Sequence, residues 1–529
     1  MTEGIADVDV LIVGAGPTGS TLAIDLLRRG HSVLLVDKSP GRFDGSRAKG
    51  VQPRTLEVFR DLGVVDAVVA GGSTYPPMGA HVGPLTIPFA MNPVGRPTAD
   101  IPYPNTWLIP QSRTLAILHQ RLAELGGFVA FDTELISVEQ QRGSLATATV
   151  TNAGGEHTTL SASFIVGCDG ASSAVRKSQN VEFDGDTDDT DRIIVIDAET
   201  GGLRRHRWHV WPGLGGRFVG ACPLPQTNQF QWMIRMPEQA EISLADDDLK
   251  TLIATRTGDS RITIGQIAWR SIFRPNIRLA RRYRSGRVFL AGDAAHVHTP
   301  AGAQGLNTGI QDAYNLGWKM SQVLAGAPSA VLDSYEDERR PIAARVLGMS
   351  TDKYQGLARL DPSALRRGDD ERQLRLTYRG STIAPASDHT QTLRVGDRAP
   401  NARLLAASGG PVEVFDLLAG PQFTLLVIGP LASRDLSQIA APRSGAPLHT
   451  VTINRADKIE GALETADVAG EFASAYGVDG RDNAMFLVRP DGYLAAIATR
   501  CWATTINGIL AALTPSAPST HATQVSKHA

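Results

Sequence analysis

The stretch Val8-Asp9-Val10-Leu11-Ile12-Val13-Gly14-Ala15-Gly16-Pro17-Thr18-Gly19 decides the fold class. Val8 to Val13 is apolar and β-branched without clean alternation, the pattern of a strand buried on both faces of a parallel sheet. Gly14, Gly16 and Gly19 follow at dinucleotide-binding spacing. Pro17 and Thr18 open a helix that runs to about Arg29, and Gly30 closes it. His31 to Asp37 (HSVLLVD) predicts a second strand, which ends on an acid about 20 positions beyond the glycine loop. Gly14 permits the tight turn, Gly16 lets backbone approach a pyrophosphate, and Gly19 lets helix and strand pack closely. The helix N-terminus offers free N–H groups and a positive dipole end to phosphate. Asp37 is placed to accept hydrogen bonds from a ribose hydroxyl, with Lys38 beside it. This unit predicts a Rossmann-like α/β domain and leaves FAD and NAD(P) both open.

Length and composition bound the rest. At roughly 150 residues per domain, 529 residues suggest three or four folding units. Hydrophobic residues at 42% and charged residues at 20% are ordinary globular values, and a net charge of −2 without a basic run offers nucleic acid no footprint. Cys168, Cys222 and Cys501 are too few and too scattered for a disulfide framework or a thiolate zinc site, which fits a reducing cytoplasm. Asp7 and Asp9 precede the first apolar run, unlike the basic start of a secretory signal, and no stretch is apolar for long enough to span a membrane.

Three further stretches choose the cofactor. Ser46-Arg47-Ala48-Lys49-Gly50-Val51-Gln52-Pro53-Arg54-Thr55-Leu56-Glu57 joins a loop to a helix opened by Pro53 and stopped by Gly63. Phe164 to Arg176 (FIVGCDGASSAVR) carries Asp169-Gly170 after a buried strand, with Ser172 a candidate cap for the helix bearing Arg176. Arg287 to His296 (RVFLAGDAAH) ends a buried strand in Gly292-Asp293. It continues through Thr299-Pro300-Ala301-Gly302-Ala303-Gln304-Gly305-Leu306-Asn307 into a helix closed by Gly326. A glycine-rich loop there lets a flat ring lie against backbone, and the helix N-terminus stabilises negative charge on it.

On these motifs the chain resembles the single-component FAD-dependent aromatic hydroxylases, nearest the branch that oxidises anthracycline and angucyclinone polyketides. The resemblance implies a p-hydroxybenzoate-hydroxylase-type FAD domain, an antiparallel-sheet substrate domain and a C-terminal thioredoxin-like domain. It implies that Arg47, Gln111 of Trp107-Leu108-Ile109-Pro110-Gln111, Asp169 and the ribityl-holding Asp293 bind FAD. Gly292, Pro300, Gly302, Gly305, Leu306 and Asn307 join them, and Arg47 and Pro300 position the flavin at the reaction centre. Two departures stand out. Ala303 replaces a usual glycine, which puts the local loop geometry in question, and Leu115 stands where relatives often carry glutamate.

The expected division is FAD-binding in residues 1–71, 107–185 and 281–340, and substrate domain in 72–106 and 186–280. A helical connection follows over 341–390, then a thioredoxin-like unit over 391–515 and a polar tail over 516–529 expected to be disordered. Strands at Arg192 to Ala198, Arg217 to Pro223 and Gln229 to Met236 suit an antiparallel sheet. Its aromatics (Trp208, Trp211, Phe218, Phe230, Trp232, Phe273) either line a planar-substrate pocket or simply pack the sheet. His206, His209, His296 and His298 lack metal-ligand spacing, so no metal is expected. After the strand near Leu425 the text is Pro430-Leu431-Ala432-Ser433, so the C-terminal unit has no Cys-x-x-Cys and no thiol chemistry.

The expected reaction is an FAD-dependent, NADPH- or NADH-consuming insertion of one oxygen atom from O2 into a phenolic ring through a flavin hydroperoxide, in a cytoplasmic enzyme and a possible homodimer. No general base is identifiable. Baeyer–Villiger insertion on the same scaffold, an FAD dehydrogenase without oxygen transfer, and a non-catalytic FAD-bound module are the alternatives.

Overall fold

The computed structural model describes residues 7–515, apart from 91–93, 141–144, 189–190, 214–216, 239, 300–303, 359–367, 386–392, 430–435, 455–458 and 479–482. The opening strand Val8–Val13 lies inside an eight-stranded sheet, flanked in parallel by Val33–Val36 and by the C-terminal half of His157–Gly167. Val288–Leu290 extends the parallel run on one side and Val129–Ala130 on the other. Val10, Leu11 and Ile12 are fully buried, as a strand without alternation requires. The first half of His157–Gly167 turns antiparallel and pairs with Ala146–Thr151, then Glu134–Gln140.

Helix Pro17–Leu27 packs on this sheet and against helix Gly305–Leu324, which is buried around nearly its whole circumference. That burial explains its weak polar face. It runs between the first helix, the long helix Ala330–Ala358 and the C-terminal unit. The expected helical connection over 341–390 begins inside the long helix, and Asp369–Arg372 is a further helical turn described within it.

A second sheet has seven strands in the order Thr263–Phe273, Arg192–Gly201, Gln229–Met236, Val219–Pro223, Trp208–Trp211, Met78–Val82, Leu85–Phe89. Its pairings are antiparallel except one: Trp208–Trp211 runs parallel to Met78–Val82. A purely antiparallel sheet was expected. The parallel pair arises because these two strands come from separate segments and need no hairpin between them. Trp211, Phe230 and Trp232 join a core with Leu249 and Ile253 of helix Asp246–Thr257, so these three pack the sheet.

The third sheet, near the C-terminus, centres on Phe423–Ile428, parallel to Leu448–Ile453 and antiparallel to Ala484–Val488, which pairs in turn with Leu494–Ala498. This is the mixed topology of a thioredoxin-like unit. The stretch Pro430 to Ser433 lies outside the described residues.

Candidate active site

The three glycines of the first loop do three different things. Gly14 has φ +104°, and a methyl there would meet the Cys168 carbonyl oxygen at 2.4 Å. A methyl at Gly19 would lie 2.0 Å from the Gly14 oxygen. Gly16 faces open space within 4 Å, at the N-cap of a helix that no side chain caps. Backbone N–H groups at Pro17–Leu27 are therefore presented outward at a spot where only backbone stands in the way. Asp37 is half-buried and braces the loop, accepting from the Ala15 N–H at 2.8 Å and from the Ser39 N–H at 2.9 Å. Lys38 is exposed beside it.

The second half of the crevice is Gly292-Asp293. Gly292 has φ +61°, and its N–H donates to Asp312 at 3.1 Å. Asp293 is reachable by solvent yet ringed by protein. Burial raises its carboxyl pKa, while Arg47 and His296 oppose that rise. Arg47 is itself exposed, close enough to Asp293 for its charge to act on that carboxylate. Gly305 and Leu306, half-buried, open the helix on this side, and a methyl at Gly305 would come 3.9 Å from the Asp293 carboxylate. Asn307 is fully buried; its side chain accepts from the Gln52 N–H at 2.8 Å and donates to the Gly50 carbonyl at 2.8 Å. It therefore clamps the Arg47 loop to the helix start. Gln111 holds the same loop from the other end, accepting from the Ala48 N–H at 3.2 Å. Pro300, Gly302 and Ala303 lie outside the described residues.

Asp169 accepts from the Ala174 and Val175 N–H groups, and its second oxygen is buried without a partner among the described residues. The expected cap Ser172 is replaced by Ser173, which accepts from the Arg176 N–H at 2.9 Å. The start sits one residue later because Asp169 already binds the first two helical N–H groups. Arg176 donates to the carbonyls of Ala294 at 2.9 Å and Ala171 at 2.8 Å, tying this segment to the Gly292 turn. Leu115 is buried, as its apolar helix face requires.

Two clusters went unforeseen. Asp312, fully buried, binds His296 Nε2 at 2.6 Å and Arg339 Nε at 2.7 Å, and His296 Nδ1 lies 2.9 Å from His298 Nε2. His209 pairs instead with His81 at 2.8 Å, so the histidines of the sequence form separate pairs. Among the described residues no group of three or more His, Cys, Asp or Glu could hold a metal. The second cluster joins the Arg47 loop to the seven-stranded sheet: Ser46 N–H donates to Asp197 at 2.7 Å, and Lys49 donates to Gln231. A loop cation and a strand amide 182 positions apart give no local signal of pairing.

These pieces fit a bound dinucleotide: an uncapped helix start over open space, a buried acceptor on Asp169, and a carboxylate inside the cleft. Residues 7–350 match the FAD binding domain family, and residues 392–515 match the family described as aromatic-ring hydroxylase, C-terminal. The chain belongs to the FAD-dependent aromatic-ring hydroxylases. A flavin-dependent monooxygenase of Mycobacteroides abscessus is 42% identical over 428 residues, covering 79% of this hydroxylase and 88% of that protein. The 12-dehydrotetracycline 5-monooxygenase/anhydrotetracycline 6-monooxygenase of Streptomyces rimosus is 30% identical over 93% of this chain and 95% of its own. Among solved structures, the flavin-dependent monooxygenase PieE in complex with FAD and substrate superposes with TM-score 0.82. Its identity is 25%, covering 96% of this chain and all of that one. This hydroxylase is thus a monooxygenase with FAD as cofactor, acting on aromatic compounds.

Proposed function

We propose that this hydroxylase inserts one atom of O2 into a multi-ring phenolic substrate of polyketide type, with NADPH or NADH as reductant. One observation carries the reading. The Arg47 loop is bonded both to the helix start at Asn307 and to the inner face of the seven-stranded sheet through Ser46 and Lys49. A flavin ring held beside that loop would lie near the sheet, and a flat substrate would bind against the sheet next to it. The tetracycline-type substrates named for the Streptomyces rimosus relative support a multi-ring compound.

In this assignment Gly14, Gly16, Pro17, Thr18 and Gly19 hold the pyrophosphate, with Asp37 and Lys38 toward the adenosine. Asp293, set by Gly292, holds the ribityl hydroxyls. Arg47 and Gln111 flank the isoalloxazine end, whereas Asp169, against the Gly14 turn, lies toward the pyrophosphate. Gly305, Leu306 and Asn307 present the helix N-terminus to its pyrimidine edge, and Pro300 and Gly302 join them on sequence grounds. FAD, when bound, supplies the redox and oxygen chemistry; the protein positions the ring and excludes water. The sheet over the flavin is assigned to residues 72–106 and 186–280, and the thioredoxin-like unit to 391–515. Free cysteines, and no described helix long and apolar enough to cross a membrane, support a reducing cytoplasmic setting. The expected homodimer is tested by light scattering on the holoprotein.

The test of function is NAD(P)H oxidation by the FAD-loaded protein with a panel of phenols and polyketide quinones. Substrate-stimulated consumption with a product heavier by one oxygen supports the reading. Nicotinamide oxidation without oxygen in any product overturns it, and NMR of the product separates ring hydroxylation from lactone formation.

A further inference from the structure

Between the Arg47 loop and the sheet lies a polar cluster whose donors outnumber its acceptors. Asp197 accepts from both the N–H and the hydroxyl of Ser46. Gln231 Nε2 donates to the Ser46 hydroxyl at 2.6 Å and to its carbonyl at 2.8 Å, while Gln231 Oε1 accepts from the Lys49 ammonium. Lys49 has three N–H donors. Its other polar neighbour is the weak acceptor Met233 Sδ at 3.9 Å. The ammonium stands 4.7 Å from the centroid of the Trp208 ring, and the indole N–H of Trp208 is buried with no acceptor among the described residues.

Lys49 is 8% exposed, and among the described residues no carboxylate lies within ion-pair distance of it. Asp197 reaches it only through Ser46 and Gln231. The other facing groups do not neutralise it. Cys222 on the neighbouring strand is a thiol pushed up to about 11 by burial, and Arg205 adds a second cation, stacked on Phe230. A buried cation without a direct counter-ion is costly, and burial accordingly pulls the Lys49 pKa down against the pull of Cys222 and Asp197. Contact with the indole face offsets part of that cost but satisfies neither the spare ammonium N–H groups nor the indole N–H. One anionic oxygen at the edge of the indole, within reach of the Lys49 ammonium, would satisfy both.

We propose that Lys49, with the indole N–H of Trp208, receives the ionised oxygen of a phenolic or enolic ring and so selects substrates in their anionic form. The inference rests on the reading above that the substrate ring lies against this sheet. On binding, the phenol's proton leaves to solvent, and the negative oxygen enriches the ring carbons ortho and para to it, where an electrophilic oxygen atom adds. Lys49 is thereby a substrate-binding residue that fixes both charge and orientation.

The test titrates the FAD-loaded protein with p-nitrophenol and with a peri-dihydroxyanthraquinone, reading the visible phenolate band across neutral pH. Wild type and Lys49→Arg should ionise the bound probe at least about one pKa unit below its free value. Lys49→Met should abolish that shift, and Trp208→Phe should diminish it. An equal apparent pKa on wild type and Lys49→Met overturns the proposal, as does a wild type that binds neither probe. If Lys49→Met fails to load FAD, Trp208→Phe decides, and a shift there as large as in wild type overturns it. Loss of stability without movement of the probe's pKa marks a merely structural lysine. A persistent shift with no oxygenated product anywhere in the substrate panel sinks the substrate reading and leaves the anion site. Oxygenated product without a shift does the reverse.

Discussion

Gly309 and Thr18 meet so closely that a methyl on Gly309 would lie 2.4 Å from Thr18 Oγ1 and 3.1 Å from the Gly292 Cα. The start of the first helix, the Gly292 turn and the helix from Gly305 thus converge on one point, beside the residues proposed to hold FAD. Gly309→Ala should cost about 1–3 kcal/mol by overpacking and weaken FAD retention. Thr18→Ala in the same chain should restore part of it, because the Gly292 backbone remains in the way. Melting of the holoprotein and flavin fluorescence on dilution check both; an unshifted midpoint in Gly309→Ala refutes the junction's importance.

Asp293 is the acid nearest the proposed ribityl chain. Asp293→Ala should raise the FAD dissociation constant about ten- to a hundredfold, the equivalent of one or two charged hydrogen bonds. Asp293→Asn should retain part of the affinity. Fluorescence titration of apoprotein with FAD gives the number, and identical constants for all three proteins would remove Asp293 from the site.

Glu338 accepts Lys319 at 2.7 Å, Asn315 at 2.7 Å, Ser381 at 3.0 Å and Arg489 through both of its terminal nitrogens, at 2.6 and 2.9 Å. Burial would raise its pKa, yet Arg489 and Lys319 hold it at about 2, while burial brings Lys319 down to about 8. Arg489 belongs to the thioredoxin-like unit, so this carboxylate fastens that unit to the flavin helices. Glu338→Gln takes from buried Lys319 its paired carboxylate and leaves Arg489 to Asp491 alone, and should destabilise by about 3–5 kcal/mol. Faster limited proteolysis would accompany it; wild-type proteolysis kinetics would contradict the fastening role.

Burial lowers the His209 pKa to about 4 from an ordinary 6.5. The unfolded chain therefore binds more protons than the folded one between those values, and stability falls as pH drops through that window. His209 Nε2 donates to the Arg204 carbonyl at 2.9 Å, which leaves Nδ1 as the acceptor for His81. His209→Gln should flatten the slope of melting temperature against pH between 6.5 and 4. An unchanged slope means the loss arises elsewhere.

The glycine loop and the Gly292-Asp293 turn were legible in the sequence because each is a local backbone requirement: a positive φ, an open helix start, an acid after a strand. Asp37 does follow the second strand, but its contact with the Ala15 N–H depends on how closely the two strands meet. The Asp312–His296–Arg339 and Lys49–Gln231 clusters were invisible for the same reason. Their members are ordinary polar residues until distant segments bring them within 3 Å or so of one another. The single parallel pairing in the second sheet is the same kind of fact, since alternation predicts a strand but not its neighbour.

That pairing has a cost in time. Met78 lies opposite Trp208, 208 − 78 = 130 positions later in the chain. The hairpin containing Leu85 and Ile87, both more than half exposed even when folded, is synthesised long before its partner strand exists. Contacts of such sequence separation form late and slowly. On the ribosome, the outer edge of this sheet waits until most strands of the first sheet have left the exit tunnel, so the two layers are completed in sequence and not together.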